Sequence, residues 1–306
     1  MTMLSGVVPI VPTAFTRTSE LDPVSQRRAV DYLIDAGAHG LCILANFSEQ
    51  FALSDAERDE VMTVVLDHVA GRVPVIVTTS HFSSRVAAMR SRDAQRAGAA
   101  MVMLMPPYHG ATLRVGEGLI REAFATVAEA IDIPIMVQDA PMSGTPLSAE
   151  SLASLAADVP QVRCFKVETG VVAAKIRQLR AAVGETGVSA FDGEESITLI
   201  PDLEAGASGT MPGGTTVDAL RRAWGLWQQG RRDEAAAEHE RVLPLIVYEN
   251  KLCGLGATKA LMAEGGILAS DQVRHPSKPL PPEVRAGLVA LARRLDLLVL
   301  RWAHPG

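Results

Sequence analysis

Short apolar runs alternate with longer helix-like stretches from Gly6 to Trp227, and this rhythm limits the possible folds more than any other feature of the chain. The runs are Gly6–Val11, Gly40–Leu44, Val73–Val77, Ala100–Leu104, Ile133–Val137, Val162–Phe165, Val188–Phe191 and Ala207–Met211. They are compact and lack strict polar alternation, as expected of parallel strands covered on both faces. Helix-start signals fall between them. Asp22-Pro23 opens a stretch to about Ala36 that Gly37 stops, and Ser54-Asp-Ala-Glu57 has the form of a capping box. Ser83 and Ser148 each precede a helical pattern, and Asp218–Trp227 supplies the eighth. Eight strand–helix repeats in roughly 225 residues fit an α/β chain of the (β/α)8 TIM-barrel class, which typically takes about 250. A doubly wound open sheet is the rival.

From about Arg231 the pattern is helical only: Asp233–Tyr248, a segment around Ala257–Ala263, and Pro282–Trp302 after the Pro-rich link His275–Pro282. The expected organisation is therefore a catalytic barrel over residues 1–230 and a C-terminal helical bundle over residues 231–306. A formal net charge of −6 argues against nucleic acid as a partner. No run of about eighteen apolar residues spans a membrane, and the first residues lack a signal-peptide pattern, so a soluble cytoplasmic protein is expected. Cys42, Cys164 and Cys253 show no C-x-x-C spacing, which excludes a disulfide framework and a cysteine zinc site.

In a barrel the active site lies at the C-terminal ends of the strands, so the residues after each apolar run are the candidates. There are five lysines (Lys166, Lys175, Lys251, Lys259 and Lys278), and one of them, Lys166, sits at the tip of the sixth run. Desolvation there disfavours the ammonium form, which makes an amine nucleophile available for a Schiff base with a carbonyl carbon. A structural pair between Lys166 and Glu168 is the competing explanation, and position alone does not separate the two.

The segment Phe165-Lys166-Val167-Glu168-Thr169-Gly170 resembles the Schiff-base segment of the dihydrodipicolinate synthase/N-acetylneuraminate lyase family, and the likeness runs from about Gly6 to Tyr248. The resemblance implies a (β/α)8 barrel with a C-terminal helical extension, usually a homotetramer, acting on 2-oxo acids through an imine on Lys166. Ala45–Glu49 stands where the family usually has Gly-Thr-Thr-Gly-Glu, so Asn46, Phe47 and Ser48 are the expected holders of the substrate carboxylate. Backbone N–H groups suit an oxyanion whatever side chains flank them. Asn46-Phe47-Ser48 also matches an N-glycosylation acceptor, read here as coincidence. Tyr108, in Met105–His109, falls on the second tyrosine of the family's paired-tyrosine motif, near a subunit interface. It is expected to relay protons; the rival is a packing role at that contact.

Strand five departs from the family. Relatives place a catalytic tyrosine in this segment, whereas Val137-Gln138-Asp139-Ala140-Pro141 contains none. Gln138 becomes the candidate there. After strand seven, Asp192-Gly193-Glu194-Glu195 corresponds to a turn with which relatives bind substrate hydroxyls, which nominates Gly193 and Glu194. A Mg²⁺ site is the rival reading of these carboxylates. Met211, after strand eight, lines the site through its backbone or is part of a turn. Histidines show no zinc spacing, and neither a P-loop nor a G-x-G-x-x-G pattern implies a nucleotide, so no metal or cofactor is expected.

Taken together, the segments resemble the branch of the family that dehydrates a 2-keto-3-deoxy sugar acid. The implied reaction is conversion of 2-keto-3-deoxy-L-arabonate to 2-oxoglutarate semialdehyde in L-arabinose catabolism. Retro-aldol release of pyruvate and a non-catalytic sugar-acid sensor are the alternatives.

Overall fold

The computed structural model describes residues 4–109, 113–184 and 186–304. Met1–Met3 and Gly110-Ala111-Thr112, which follow the Met105–His109 segment, lie outside the described residues. Eight strands appear in the expected order: β1 (Gly6–Val7), β2 (Leu41–Ile43), β3 (Val75–Thr78), β4 (Met101–Leu104), β5 (Ile135–Asp139), β6 (Val162–Val167), β7 (Ser189–Asp192) and β8 (Gly209–Thr210). Helices α1 (Pro23–Asp35), α2 (Asp55–Val69), α3 (Ser84–Arg96), α4 (Glu117–Ala128), α5 (Ala149–Asp158), α6 (Val172–Val183), α7 (Leu199–Glu204) and α8 (Val217–Gln228) follow them in turn. Then come α9 (Arg232–Tyr248), α10 (Gly256–Glu264) and α11 (Pro282–Arg294), the C-terminal helical extension. This is the (β/α)8 barrel class with its added helices. No described helix is long and apolar enough to cross a membrane.

Contacts divide the chain into two compact units. The first comprises Pro74–Met211 with the N-terminal residues through Ser5; the second comprises Gly6–Val73 and Pro212–Gly306. In the first unit β3, β4, β5, β6, β7 and β8 pair in parallel, each with its sequence neighbour. A doubly wound sheet must reverse its strand order at a switch point, and this run of six strands has none. The strands are buried on both faces, with Val102, Met103, Ile135, Phe165 and Phe191 fully enclosed. Their register sets two rows at the C-terminal tips. One row is Gln138, Lys166, Phe191 and Gly209; the next is Asp139, Val167, Asp192 and Thr210.

In the second unit, Ile10, three residues beyond β1, forms a parallel bridge with Cys42 of β2, with Val11 N donating to Cys42 O and Cys42 N to Pro9 O. Local start signals act as the sequence suggests. Asp22 caps α1, and Ser54 and Glu57 close a complete capping box on α2. The last helix is shorter than its pattern, which runs to Trp302. It stops at Arg294 because Asp296 takes a left-handed conformation (φ 49°) and Leu297 is extended. The turned chain brings Trp302 edge-on to Tyr32 at 6.0 Å, and its Nε1 donates to Asp35 Oδ2 at 2.9 Å. A short hairpin, Tyr108–His109 against Leu113–Arg114, follows β4 and is not legible as an apolar run.

Candidate active site

Lys166 is the fifth residue of β6, one place before its end, and only 5% of it is exposed. Its Nζ donates to Glu168 Oε1 at 2.6 Å. The carboxylate that competes with imine chemistry as an explanation is therefore the lysine's immediate partner, and the two readings converge. A carboxylate at hydrogen-bond distance can take a proton from the ammonium and hand it on. Across the β5–β6 ladder, Gln138 stands in register with Lys166, and its Nε2 donates to the same Glu168 oxygen at 2.8 Å. Gln138 Oε1 is buried without a hydrogen-bond partner among the described residues. Buried polar atoms are seldom left so, and an orphan acceptor beside an ion pair is a ready seat for a ligand hydroxyl.

Gly193 follows β7 and makes this geometry possible. A Cβ there would lie 2.5 Å from Glu168 Cγ and 2.9 Å from Lys166 Cγ, so any side chain would push the pair apart. Its N–H donates to Val167 O at 3.0 Å. The turn continues through Glu195 (φ 56°) and Ser196 (φ 70°), both left-handed, and leaves Glu194 half-buried. Glu194 N donates to Asp192 Oδ1 at 2.8 Å, and Thr210 Oγ1 donates to Asp192 Oδ2 at 2.7 Å. Burial raises the Asp192 carboxyl above its ordinary value, against the opposing pull of Lys166. Burial and the neighbouring Asp192 push Asp202 up to about 7. Met211 is fully buried and its N–H donates to Asp192 O at 3.0 Å, so its backbone belongs to the same strand-tip cluster.

Tyr108 is half-buried at the start of the hairpin, and burial raises its phenol above the ordinary value. His81 acts at a helix start: its Nδ1 accepts from Ser83 N at 3.0 Å. Asn46, Phe47 and Ser48 form a single 3-10 turn in the second unit. Asn46 Oδ1 accepts from Gln50 Nε2 at 2.6 Å. Ser48 is fully buried, its Oγ donating to Val11 O at 2.7 Å and its carbonyl accepting from Thr13 Oγ1 at 2.6 Å. Glu49, which closes the segment in a left-handed conformation, pairs with Lys259 Nζ and accepts from Arg274 N at 2.8 Å. Its carboxylate is committed to holding the turn.

The structure thus brings Lys166, Gln138, Gly193, Glu194 and Met211 together at one set of strand tips within the first unit. Sequence reasoning passes over a second network there. Asp139 Oδ2 receives Thr169 Oγ1 and Lys175 Nζ, each at 2.5 Å, and Oδ1 receives Leu147 N at 3.2 Å. A second lysine nine residues beyond Lys166, in a chain with five, is the signal that points to it. Cys164, also in β6, is enclosed, and burial pushes its thiol up to about 12, which removes it as a nucleophile.

Comparison with known proteins finds relatives along nearly the whole chain. The model of the dihydrodipicolinate synthetase family matches residues 3–295. An L-2-keto-3-deoxyarabonate dehydratase from Azospirillum brasilense is 58% identical over 299 residues, which cover 98% of this chain and 97% of that protein. A 4-hydroxy-tetrahydrodipicolinate synthase from Thermomicrobium roseum is 31% identical, covering 94% of this chain and 93% of its own. Among solved structures, YagE from Escherichia coli K12, a prophage protein of the dihydrodipicolinic acid synthase family solved with pyruvate, superimposes with a TM-score of 0.90. It is 26% identical and covers 97% of this chain and 100% of its own. With the barrel, the strand-six lysine and this breadth of likeness in hand, the chain belongs to the dihydrodipicolinate synthetase family.

Proposed function

We propose that the protein is a lyase that dehydrates 2-keto-3-deoxy-L-arabonate to 2-oxoglutarate semialdehyde through an imine on Lys166. The observation that carries this reading is the triangle of Lys166, Glu168 and Gln138, in which an amide replaces a tyrosine at the strand-five position. Near-complete alignment at 58% identity with a dehydratase of this name supports the substrate. Pyruvate in the E. coli relative supports 2-oxo acid chemistry for the family.

Each step follows from the groups present. Glu168 accepts a proton from Lys166 Nζ, and the free amine attacks C2. Glu168 returns that proton to the carbinolamine oxygen, which leaves as water and gives an iminium that acidifies the C3 protons. With Nζ now bound to carbon, Glu168 is released from its ion pair to remove a C3 proton, giving an enamine. The enamine expels the C4 hydroxyl, which leaves as water with the proton that Glu168 carries. The orphan Oε1 of Gln138 accepts from that hydroxyl and orients it. Loss of a C5 proton and reprotonation at C3 and C4 lead to the aldehyde, and hydrolysis frees Lys166. Retro-aldol cleavage instead requires a base at the C4 hydroxyl, a task for tyrosine that neither Val137 nor Gln138 can perform. Asn46, Phe47 and Ser48 serve the substrate carboxylate in this reading; Glu194 and the backbone around Gly193 and Met211 serve its hydroxyls. Tyr108 acts near a subunit interface of a cytoplasmic homotetramer.

Borohydride reduction in the presence of pyruvate tests the assignment. Covalent mass is expected on Lys166 alone, together with a five-carbon semialdehyde from the sugar acid. Modification at Lys175, Lys251, Lys259 or Lys278 instead would remove Lys166 from its role. Pyruvate and glycolaldehyde as products would make the protein an aldolase.

A further inference from the structure

The Asp139–Thr169–Lys175 network takes no part in the steps above, yet it is built directly behind the groups that do. Asp139 follows Gln138 at the end of β5, and Thr169 follows Glu168 just beyond β6. Successive residues of an extended chain point to opposite faces. Gln138 and Glu168 accordingly meet beside Lys166, while Asp139 and Thr169 meet on the side of α6. There Lys175, in the first turn of α6, donates to Asp139 Oδ2 at 2.5 Å and to Thr169 Oγ1 at 2.6 Å. The Thr169 hydroxyl donates to the carboxylate and accepts from the ammonium, so its rotation is fixed. Leu147 N occupies the other carboxylate oxygen at 3.2 Å, and Glu168 N donates to Asp139 O at 3.2 Å. Asp139 has no exposed side-chain surface, and Lys175 has 11%. The two charges cancel, and every contact of the carboxylate ends on a different backbone segment: the β6 tip, α6 and the loop before α5.

We infer that Asp139, Thr169 and Lys175 are positioning residues that lock the tips of β5 and β6 from behind, so that Gln138 keeps Glu168 on Lys166. The inference deepens the imine reading and rests on it. A carboxylate that must release a lysine and then meet a C3 proton cannot follow the substrate freely; a displacement of about 1 Å at such a base costs up to about a hundredfold in rate. Gly193 fixes the same carboxylate from the opposite side, where a Cβ would collide with Glu168 Cγ. The clamp behind and the glycine in front leave Glu168 a narrow range of positions.

The test is the rate at which the full-length protein washes deuterium into the methyl group of pyruvate in D2O, followed by NMR. This reads imine formation at C2 and removal of a C3 proton without any elimination. Thr169→Val deletes the hydroxyl at nearly constant volume. It is expected to lower the saturating exchange rate about tenfold or more while half-saturation by pyruvate moves less than about twofold. Thr169→Ser restores the hydroxyl and is expected to recover most of the rate. If Thr169→Val does not fold, Lys175→Gln against Lys175→Arg makes the same comparison, with the loss in Gln and the recovery in Arg. A purely structural role would lower the melting temperature without this split between rate and half-saturation. Unchanged exchange in Thr169→Val, or equal loss in Thr169→Ser, overturns the inference. Wild-type protein that exchanges pyruvate but never dehydrates the sugar acid counts against the proposed substrate alone. No exchange by wild type overturns the imine, and this inference with it.

Discussion

The Lys166–Glu168 pair of the first unit and the Lys259–Glu49 pair of the second are both buried, and they differ in what surrounds them. In the second unit Lys259 and Glu49 have side chains 1% and 2% exposed. Lys259 Nζ also donates to Gln272 O at 2.9 Å and lies 4.2 Å from the centre of the Phe15 ring, while Glu49 accepts from Arg274 N. Burial lowers the Lys259 ammonium to about 8 in spite of its partner. In the first unit Lys166 and Glu168 are 6% and 15% exposed, and Glu168 shares one oxygen between Lys166 and an amide whose own oxygen has no partner. Burial alone therefore does not mark a reactive lysine. A pair whose donors and acceptors are all spent holds structure; a pair beside spare hydrogen-bonding capacity and a partly open carboxylate can do chemistry.

The sharpest way to break that comparison is to remove each lysine in turn. Lys166→Ala is expected to abolish turnover of the sugar acid and trapping by borohydride, with unfolding little changed, as product assays and a denaturation curve will show. Lys259→Met leaves Glu49 buried without its cation and is expected to cost about 3–5 kcal/mol of stability. If Lys259→Met kept wild-type stability, the structural half of the comparison would fail. Next in size is Glu168→Gln, which keeps a hydrogen bond to Lys166 but cannot carry a proton. Turnover is expected to fall on the order of 10²–10⁴-fold while pyruvate is still trapped on Lys166. Full activity would make Glu168 a bystander.

Tyr108→Phe is a smaller step. Its rate is expected to fall about tenfold with fold and trapping intact, and an unchanged kcat would leave Tyr108 a packing residue. The smallest effect concerns Asp202, whose carboxyl is raised to about 7 by burial and by Asp192. The folded state holds this proton where the unfolded chain has already released it. The stabilisation is therefore complete below pH 4 and is lost as pH rises through about 7. Asp202→Asn should remove that slope, so its melting temperature relative to wild type should rise by on the order of 2 °C between pH 5 and pH 8. A parallel pair of pH curves would contradict the assignment.

Much of this was legible in the sequence, for identifiable reasons. Buried parallel strands read as compact apolar runs, and caps such as Asp22 and Ser54 are local, so the barrel order and helix starts follow from short windows of sequence. Lys166 stood out because lysine is rare here and this one ends an apolar run. What stayed hidden depends on register or on distance along the chain. That Gln138 and Glu168 meet follows only once β5 and β6 are paired, and Asp139 with Lys175 likewise. Glu49 and Lys259 are separated by 210 positions, so the Glu of the strand-two segment reads as part of a substrate loop until its partner is seen. The apolar pattern overruns the end of α11 because apolar residues continue to Trp302, while the break comes from a left-handed Asp296 that no periodicity reveals.

The central claim is that Lys166 and Glu168 drive elimination, and substrate deuterated at both C3 positions tests it most directly. In ordinary water the protein should release a five-carbon semialdehyde that has lost C3 deuterium, one atom for each C4 hydroxyl expelled, with further loss through later tautomers. Stoichiometric glycolaldehyde with pyruvate that keeps both C3 deuterons would show carbon–carbon cleavage without a C3 base, and would contradict the account.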